Sequence, residues 1–281
     1  MQLIADSGST KTSWRLIKGA NDIVEASTIG YNPHYFDTKK MEKSLQSLLI
    51  PQLGIAVTEV SQVYFYGAGC STPSSNAVVE KAFSNVFPEA NIYVDHDLLG
   101  AARALCGQST GIACILGTGS NSCAFDGKSI TDNVSSLGFM LGDEGSGASL
   151  GRRLVRSFFY REMPSDIKES FNERYQMDKD VIFKEVYKSA LPSRYMAQFT
   201  KFMNEHIEKP FMRNLVKEEF GAFIDTQVLK YENVQSIPIN FLGSVAFFFQ
   251  DIMLEVLEER QLKMGQIIQE PITALVDYHL A

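Results

Sequence analysis

At 281 residues, with 45% hydrophobic and 21% charged residues, the chain has the composition of a globular protein large enough for two domains. Its formal net charge of −7 at pH 7 argues against non-specific binding to nucleic acid or to an anionic membrane surface. No run of about 18 apolar residues could span a bilayer, and the first residues enter a predicted strand without the basic segment of a secretion signal. We therefore expect a cytoplasmic enzyme or binding protein.

The N-terminal part of the chain predicts a mixed sheet flanked by helices. Three short strands at residues 3–5, 13–17 and 23–27 form an antiparallel meander, after which helices and strands alternate. The elements of this alternation are a helix at residues 39–49 that stops near Pro51, a strand at 63–66, a helix at 76–86, a strand at 92–94 and a helix at 98–105. A meander followed by such an alternation is typical of a mixed α/β sheet.

The rest of the chain begins in the same way. A strand at residues 112–116 is followed by a polar turn and a returning strand at 122–125, about 110 residues after the first such arrangement. We infer two structurally related domains that meet at a hinge near residues 106–111. The remaining predicted elements are a helix at 148–160, helical structure over 164–233 with a break near Pro210, a strand at 237–242, a helix at 245–260 and a final helix at 272–280.

The cysteines and histidines give no sign of a metal centre. The cysteines lack C-x-x-C spacing and mostly lie within apolar runs, so we predict buried thiols rather than a metal or cluster site. The histidines are scattered, which leaves zinc chemistry without a basis. The residues concerned are Cys70, Cys106, Cys114, Cys123, His34, His96, His206 and His279.

Two polar turns stand at corresponding places in the two halves. They are residues 6–12, Asp-Ser-Gly-Ser-Thr-Lys-Thr, and residues 116–122, Leu-Gly-Thr-Gly-Ser-Asn-Ser. Glycines let a backbone approach a bulky anion, and amide and hydroxyl groups can then coordinate phosphate oxygens. Neither turn has the spacing of a Walker A loop or of G-x-G-x-x-G. They could hold one polyphosphate from both sides, or they could be plain hairpin connections.

Asp97 is the candidate for proton transfer. It follows the predicted strand at residues 92–94, and the carboxyl ends of strands commonly present functional groups. A carboxylate there could accept a proton from a substrate hydroxyl that attacks phosphorus. The alternative is an N-cap for the following helix, a role that Asp95 could also fill.

Other charged candidates have structural alternatives as well. Asp6 could hold Mg²⁺ through water, or it could shape the first turn. Lys11 could meet phosphate charge or lie exposed on a hairpin. Asp143 and Glu144 lie between glycines, so at least one could point into a cleft; otherwise they form an acidic pair at the start of a helix.

Two further sets of residues could contact a substrate. The amide side chains of Asn32 and Asn121 could bond sugar hydroxyls. Gly243 and Ser244 could let an adenine or ribose lie close to a helix N-terminus, or could simply begin that helix.

The order of these motifs resembles that of the actin-like sugar-kinase superfamily, and within it the N-acetylglucosamine kinase group of the BadF/BadG/BcrA/BcrD ATPase family. The motifs that carry the resemblance span nearly the whole chain: residues 6–12, 97–100 (Asp-Leu-Leu-Gly), 117–121 (Gly-Thr-Gly-Ser-Asn), 142–146 (Gly-Asp-Glu-Gly-Ser) and 243–245 (Gly-Ser-Val). The combination of the third and fourth motifs is specific. Ser9 departs from the pattern, which often has a glycine in that place.

The resemblance implies two ribonuclease-H-like domains with a mixed sheet in each and an ATP and sugar cleft between them. Their expected limits are residues 1–106, joined by the C-terminal helix 268–281, and residues 107–267 with a helical insertion. The implied reaction is transfer of a phosphate from ATP, with Mg²⁺, to an amino sugar, with Asp97 as general base. N-acetylglucosamine, phosphorylated at O6, is the first candidate for that sugar. The implied contacts are Gly8, Ser9, Thr10, Lys11, Thr12, Gly117, Thr118, Gly243 and Ser244 to ATP, Asp6 to the metal, and Asn32, Gly69, Gly119, Asn121, Asp143 and Glu144 to the sugar.

Two other functions stay open at this point. A BadF-type ATPase would activate a partner redox enzyme through an iron–sulfur cluster that bridges subunits, and the cysteines here lack the expected loop. A sugar-sensing regulator on the same fold is disfavoured by the acidic charge and by the absence of a DNA-binding extension before Met1. The sequence leaves the preferred amino sugar open, and residues 164–233 offer enough surface for a homodimer.

Overall fold

The computed structural model describes residues 1–8, 11–19 and 22–281 of the chain. Within these residues the strands form two five-stranded sheets, and the chain divides into two compact units. The first unit comprises Met1–Gln108, Gly127–Ser129 and Glu270–Ala281, and the second comprises Ser109–Asp126 and Ile130–Gln269.

The first unit contains a mixed sheet. Its strands are β1 (Gln2–Ser7), β2 (Lys11–Gly19), β3 (Asp22–Ile29), β4 (Gln62–Gly67) and β5 (Asn91–His96). They lie in the order β3-β2-β1-β4-β5, in which β2 is antiparallel to both β3 and β1, while β4 and β5 run parallel to β1. The predicted meander and alternation are therefore confirmed, and the carboxyl ends of the three parallel strands share one edge of the sheet.

Helices cover the sheet of the first unit. They are α1 (Thr38–Ser44), a π-helical segment (Leu45–Leu49), α2 (Ile50–Leu53), a 3₁₀ turn (Val57–Glu59), α3 (Pro73–Val86) and α4 (Asp97–Cys106). Between the sheet and these helices Trp14 is fully buried against Phe65 and Phe83, and its indole N–H donates to Thr28 Oγ1 at 2.8 Å.

The predicted helix is confirmed, and its helical path ends at Leu53, two residues after the predicted stop near Pro51. Proline lacks the N–H that a regular helix would use at this point, and its ring crowds the preceding turn. The chain widens into the π-helical segment just before it, where the Ile50 N–H donates to the Leu45 carbonyl five residues back. The path ends at Gly54, whose φ of 63° is in the left-handed region.

The second unit repeats the strand order of the first. Its strands are β6 (Gly111–Leu116), β7 (Ser120–Phe125), β8 (Ile130–Asp132), β9 (Ile239–Leu242) and β10 (Met264–Ile268), arranged β10-β9-β6-β7-β8. Again three antiparallel strands are followed by two that are parallel to the first of them. This repeated topology confirms the predicted α/β class with a ribonuclease-H-like mixed sheet in each unit. The short strands β8 and β10 were not predicted.

Helices make up most of the second unit. They are α5 (Gly138–Leu141), α6 (Gly147–Phe159), α7 (Ser165–Tyr175), α8 (Lys179–Tyr187), α9 (Pro192–Ala197), α10 (Thr200–Glu205), α11 (Pro210–Thr226), 3₁₀ turns at Val228–Lys230 and Val234–Ser236, α12 (Ser244–Phe248) and α13 (Gln250–Glu259). The break predicted near Pro210 is confirmed, because this residue begins α11. The helix predicted at 245–260 is interrupted at Phe249, whose side chain is buried in the core.

The last helix, α14 (Ile272–Leu280), belongs to the first unit and packs against α4. It confirms the predicted final helix. Among the helices of the described residues, none has both the length and the apolar character required for crossing a bilayer.

Candidate functional site

Asp97 is the first residue of α4, directly after β5. The N-cap of that helix is His96, whose Nδ1 accepts a hydrogen bond from the Leu99 N–H at 3.1 Å. Asp95 does not cap the helix, because its Oδ1 accepts from the His96 N–H at 2.9 Å. The alternative role of Asp97 or Asp95 as an N-cap is therefore wrong, and the carboxylate of Asp97 is available for another function.

A second carboxylate lies close to Asp97. Asp6, near the end of β1, pairs in register with Tyr66 of β4, which pairs with Asp95 of β5, so all these residues reach the same edge of the sheet. Both Asp6 and Asp97 have partly buried side chains. Oxygen atoms of this kind, at the carboxyl ends of parallel strands, can accept protons or ligate a hard cation.

The surroundings raise the pKa of both carboxyl groups. Burial raises the pKa of Asp97, while the neighbouring His96 and the N–H groups at the start of α4 pull it down to a lesser degree. Burial is also the main cause for Asp6; the negative charges of Asp97 and Glu270 add to it, Lys11 opposes it, and the pKa reaches about 7. A carboxyl group in such an environment holds its proton more readily than one in water, so both groups are candidates for proton transfer.

The first polar turn is held by its own backbone and by buried hydroxyls. The Gly8 N–H donates to the Lys11 carbonyl at 3.0 Å. The Thr12 hydroxyl donates to the Ile29 carbonyl at 2.9 Å and lies 2.7 Å from the hydroxyl of Ser7, and both of these side chains are fully buried. The hydroxyl of Thr12 thus joins the strands of the sheet, which does not favour its predicted contact with ATP.

Lys11 also belongs to this first turn. Lys11 is exposed, with its Nζ 3.7 Å from Glu270 Oε1, so its charge lies at the surface of the first unit. The predicted contacts of Ser9 and Thr10 with ATP lie outside the described residues.

Two of the predicted sugar contacts touch each other in the first unit. Asn32 is 7% exposed, and its Oδ1 accepts from the His34 N–H at 2.9 Å. Gly69 has a φ of 84°, and a Cβ there would stand 2.5 Å from the same oxygen, so the close packing requires glycine. The adjacent Ala68 N–H donates to the Ser7 carbonyl at 2.8 Å, which ties this loop to the end of β1 next to Asp6.

The second polar turn is braced by the start of α6. The Gly117 N–H donates to the Gly119 carbonyl at 3.0 Å, and the N–H groups of Gly147 and Ala148 donate to the carbonyls of Gly117 and Thr118 at 2.8 and 3.0 Å. The side chain of Thr118 remains exposed. The turn is therefore rigid in its backbone while its hydroxyl is open to a ligand.

Gly243 packs directly behind this turn. Its φ is 120°, and a Cβ there would lie 2.4 Å from the Leu116 carbonyl oxygen. Its N–H donates to the Ile268 carbonyl at 3.0 Å, which fixes the turn between β9 and α12. Only glycine satisfies both the backbone angle and the close approach.

A cavity of about 600 Å³ in the second unit brings together residues that the sequence predicts for ATP binding. Gly117, Thr118 and Ser244 all line it. Other lining residues were not predicted and come from α8, α9 and the loops beside them: Glu185, Ser189, Leu191, Arg194, Tyr195 and Gln198. The charged members of this set stand in helices whose Lys- and Glu-rich faces indicate ordinary solvent exposure, so the sequence carried no signal that would single them out.

The carboxylate of Asp143 accepts hydrogen bonds from the second turn and from a neighbouring loop. Its φ is 60°, and its Oδ1 accepts from the Ser120 N–H at 3.2 Å and from the Ser136 hydroxyl at 3.3 Å. A Cβ at Gly119 would lie 3.0 Å from Asp143 Oδ2, so these two predicted sugar contacts are neighbours. Burial is the main cause that raises the pKa of Asp143.

The alternative of an acidic pair in the first turn of a helix is wrong for Asp143 and Glu144. The helix α6 begins only at Gly147, its N-cap is Ser146, and its first turn contains no acidic residue. Glu144 is partly exposed in the loop before the helix. Asn121 is also partly exposed, and its Oδ1 accepts from the Ser122 N–H at 2.9 Å.

The cysteines lie mainly in the cores. Cys70, Cys114 and Cys123 are at most 1% exposed, as predicted, while Cys106 is partly buried. Burial, together with the charges of Asp97 and Asp95, raises the pKa of Cys70 to about 12. Within the described part of the chain, no group of three or more His, Cys, Asp or Glu residues is arranged to hold a metal ion.

Two units with the same mixed-sheet topology, one with a carboxylate pair at its strand ends and the other with a braced glycine turn beside a cavity, have the architecture of a two-domain α/β ATPase. The chain belongs to the BadF/BadG/BcrA/BcrD ATPase family, whose model matches residues 5–209. No curated protein sequence matched the chain.

Solved structures show the same fold over nearly the full length. A protein from Porphyromonas gingivalis that is provisionally assigned as an N-acetylglucosamine kinase shares 42% identity, with 99% of this chain and 98% of that chain covered and a TM-score of 0.94. A protein from Chromobacterium violaceum with the same provisional assignment shares 14% identity over 99% and 98% of the chains, with a TM-score of 0.76. A ROK family glucokinase from Streptomyces griseus, solved with glucose and AMPPNP, shares 13% identity over 98% of each chain, with a TM-score of 0.59.

Proposed function

We propose that the protein is an ATP-dependent sugar kinase that phosphorylates an amino sugar to its 6-phosphate. N-acetylglucosamine is the first candidate for this amino sugar. The observation that carries this proposal is Asp97, a partly buried carboxylate at a strand end that does not cap its helix. The provisional assignment of the Porphyromonas gingivalis protein, at 42% identity over nearly the whole chain, supports N-acetylglucosamine as the acceptor.

In the proposed reaction Asp97 is the general base. The sugar O6 attacks the γ-phosphorus of ATP, its proton passes to the Asp97 carboxylate, and the bond between the γ-phosphorus and the bridging oxygen breaks to release ADP. Because burial raises its pKa, this carboxylate accepts the proton more readily than a solvated one would.

The oxygen ligands at this edge of the sheet fit the needs of Mg²⁺. A magnesium ion bound to a nucleotide uses one or two carboxylates and keeps several waters, so a larger cluster is not required. Asp6 would hold the ion, which when bound neutralises charge on the phosphates of ATP. The raised pKa of Asp6 fits this role, since a nearby cation would favour the ionised form that burial now disfavours.

We assign ATP binding to the braced turn of the second unit. The exposed hydroxyl of Thr118 and the turn residue Gly117 would contact phosphate, while Gly243 and Ser244 would lie against the nucleoside. The shared cavity that Gly117, Thr118 and Ser244 line supports this assignment. In the first unit, Gly8 and Lys11 would meet the outer phosphates.

The sugar contacts are assigned to two groups of neighbours. In the first unit, Asn32 and Gly69 would meet the sugar, as their mutual packing next to the end of β1 supports. In the second unit, Gly119, Asn121, Asp143 and Glu144 would do so. Asp143 would act mainly by fixing the backbone of the second turn, since its Oδ1 already accepts from the Ser120 N–H.

A small-molecule kinase that uses ATP would work in the cytoplasm.

The family also makes an activator ATPase of a redox partner a candidate. That function would need cysteines able to reach a cluster shared between subunits. Cys70, Cys114 and Cys123 are at most 1% exposed and lie in the cores, and Cys106 alone could not supply such a site. The cysteine positions therefore favour the kinase.

The decisive experiment measures ADP release with ATP and Mg²⁺ against a panel of hexoses and amino sugars, including glucosamine, N-acetylmannosamine and a muramic derivative, with a control that lacks sugar. We expect strong stimulation by N-acetylglucosamine and formation of its 6-phosphate. ATP turnover that is the same with and without every sugar would contradict the proposal and support the activator ATPase.

A further inference from the structure

The second unit has an apolar groove that is separate from the residues assigned above. The groove lies between α6 and α8, has a volume of about 660 Å³, and is lined by Val155 of α6 and by Ile182 and Val186 of α8. Aromatic side chains at its rim are unusually open, with Tyr160 at 63% and Tyr187 at 69% exposed. Apolar surface of this kind at the rim of a concave site is typical of a binding surface.

Three cations stand in the groove, each over an aromatic ring. Arg152 lies 5.8 Å from the ring centre of Phe139, Arg156 lies 5.5 Å from that of Tyr160, and Lys179 lies 5.6 Å from that of Phe183. No carboxylate is among the lining residues, and among the described residues none of the three cations forms an ion pair with a carboxylate. Arg152 does lower the pKa of Asp143 through space.

This charge pattern is at odds with the rest of the chain. The protein carries seven more acidic than basic residues, yet the groove collects cations on an apolar lining. A cation on an aromatic face keeps its charge available on the side away from the ring, so an anion can approach it from the groove. The groove is therefore complementary to a ligand that is apolar along its body and negatively charged at its head.

The cations of the groove favour a small ligand over a second copy of the chain as its occupant. A second copy of the chain in a symmetric dimer would bring the same cations towards one another with no carboxylate in the lining to pair with them. The volume lies within the range of about 300–1,000 Å³ that small ligands occupy. A small amphiphile fits both constraints better than another protein surface does.

We propose that this groove is a binding site for an amphiphilic anion, a ligand with an alkyl chain or ring system and a carboxylate or phosphate head. The chain would lie along Val155, Ile182 and Val186, and the head would lie between Arg156 and Lys179. This proposal does not rest on the proposed kinase activity, and direct binding measurements test it whether or not the protein is a kinase.

The test is calorimetric titration of the intact protein with dodecanoate and with dodecyl phosphate, each below its micelle-forming concentration. Dodecyltrimethylammonium, which has the same chain and the opposite charge, is the matched probe. We expect one saturable site that binds at least one of the anions at least about tenfold more tightly than the cation. Comparison of the two anions shows which head group is preferred.

Two variants locate the ligand. Combined replacement of the two head-group residues, Arg156→Gln with Lys179→Gln, should weaken binding of the anion by about tenfold or more and should not weaken binding of dodecyltrimethylammonium, because it removes two charges that repel this cation. Phe183→Ser, at a lining side chain that is 52% exposed, should also weaken binding, because it removes apolar surface from the groove and the ring beneath Lys179. Lys168→Gln is the control, because it removes a cation that lies 5.7 Å over the ring of Phe158 outside the groove, and it should bind the anions like the wild type.

Three results would overturn the proposal. They are the absence of saturable binding of either anion up to about 1 mM, equal binding of the cationic probe, and unchanged binding of the anions by the double variant.

Discussion

Replacing Asp97 with asparagine tests the proposed chemistry most directly. Asparagine keeps the size of the side chain, so α4 and its His96 cap stay in place, but the amide cannot take up the proton of the sugar hydroxyl. General base catalysis by a positioned carboxylate contributes roughly 10²- to 10⁴-fold. We therefore expect kcat of Asp97→Asn to fall by that factor, which corresponds to about 3–5 kcal/mol in the barrier.

The structure also says what this substitution should do to stability. Burial raises the pKa of Asp97, which means that the native state holds its negative charge at a cost. The charge of Asp97 is in addition the second largest cause of the raised pKa of Asp6. A neutral amide removes both effects, so the free energy of unfolding at pH 7 should be unchanged or higher, and kcat should fall without a loss of folded protein.

The assay follows ADP release at saturating ATP and sugar, with the KM of each substrate measured alongside, and thermal unfolding of the same samples. Asp95→Asn is the matched control, two residues away on the same strand end. Its Oδ1 accepts from the His96 N–H, and an amide oxygen can do the same, so kcat should stay within about twofold of the wild type. A variant at Asp97 that keeps more than about a tenth of wild-type kcat would refute the role of a base, as would a loss of kcat that parallels a lower Tm.

Three further outcomes follow from the same geometry. Thr118→Val should raise the KM for ATP about tenfold without changing Tm, since its exposed hydroxyl is assigned to phosphate; Thr131→Val, at an exposed strand position, is the control, and an unchanged KM would remove Thr118 from the site. Gly243→Ala should lower the free energy of unfolding in urea by about 2–4 kcal/mol, because the new Cβ meets the Leu116 carbonyl oxygen at 2.4 Å at a φ of 120°; a loss below about 0.5 kcal/mol would contradict this. The native pKa of Asp6, about 7 against 3.8 in the unfolded chain, means that the native state binds more protons between these pH values, so stability should fall as pH rises through this window, by at most roughly 4 kcal/mol. Asp6→Asn should abolish this fall, and an identical pH profile for wild type and variant would show that the environment of Asp6 is not as described.

Much of this fold could be predicted because its signals are local. Short apolar strands bounded by glycine-containing turns, and helices with an apolar stripe, are visible in any window of the sequence. The same approach did not predict the π-helical segment Leu45–Leu49 that precedes Pro51. It also missed β8 and β10, which have three and five residues and occupy the edges of the second sheet, where few residues are buried and the alternation of apolar and polar residues is weak.

The site was predictable where glycine carries the signal and less so where distant residues meet. A glycine demanded by backbone angle, as at Gly69 and Gly243, stands out in the sequence because it occurs in a turn. The capping role of His96 and the contact of Asp143 with the backbone of Ser120 depend on three-dimensional contacts that no local pattern expresses. Arg194 is a stronger case, since it reaches the cavity of the Gly117 turn from a helical segment more than 70 residues away.

The repeated topology explains how one chain divides the work of its proposed reaction. Both sheets place a polar turn after the first strand, yet the turn in the first unit begins with the carboxylate Asp6, whereas the corresponding strand of the second unit ends in the apolar Leu116. After its last strand, β5, the first unit presents Asp97, whereas β10 of the second unit is followed by Glu270, which already belongs to the first unit and whose charge acts on Asp6 there. The two carboxylates assigned to the proton and to the metal ion thus lie in the first unit, whereas the second unit has a braced glycine turn beside a cavity, with Asp143 accepting from the Ser120 N–H of that turn. Such a division suits the proposed reaction, in which one unit handles a proton and a metal ion while the other binds the nucleotide, because a carboxylate in place of Leu116 would repel a phosphate bound by the second turn.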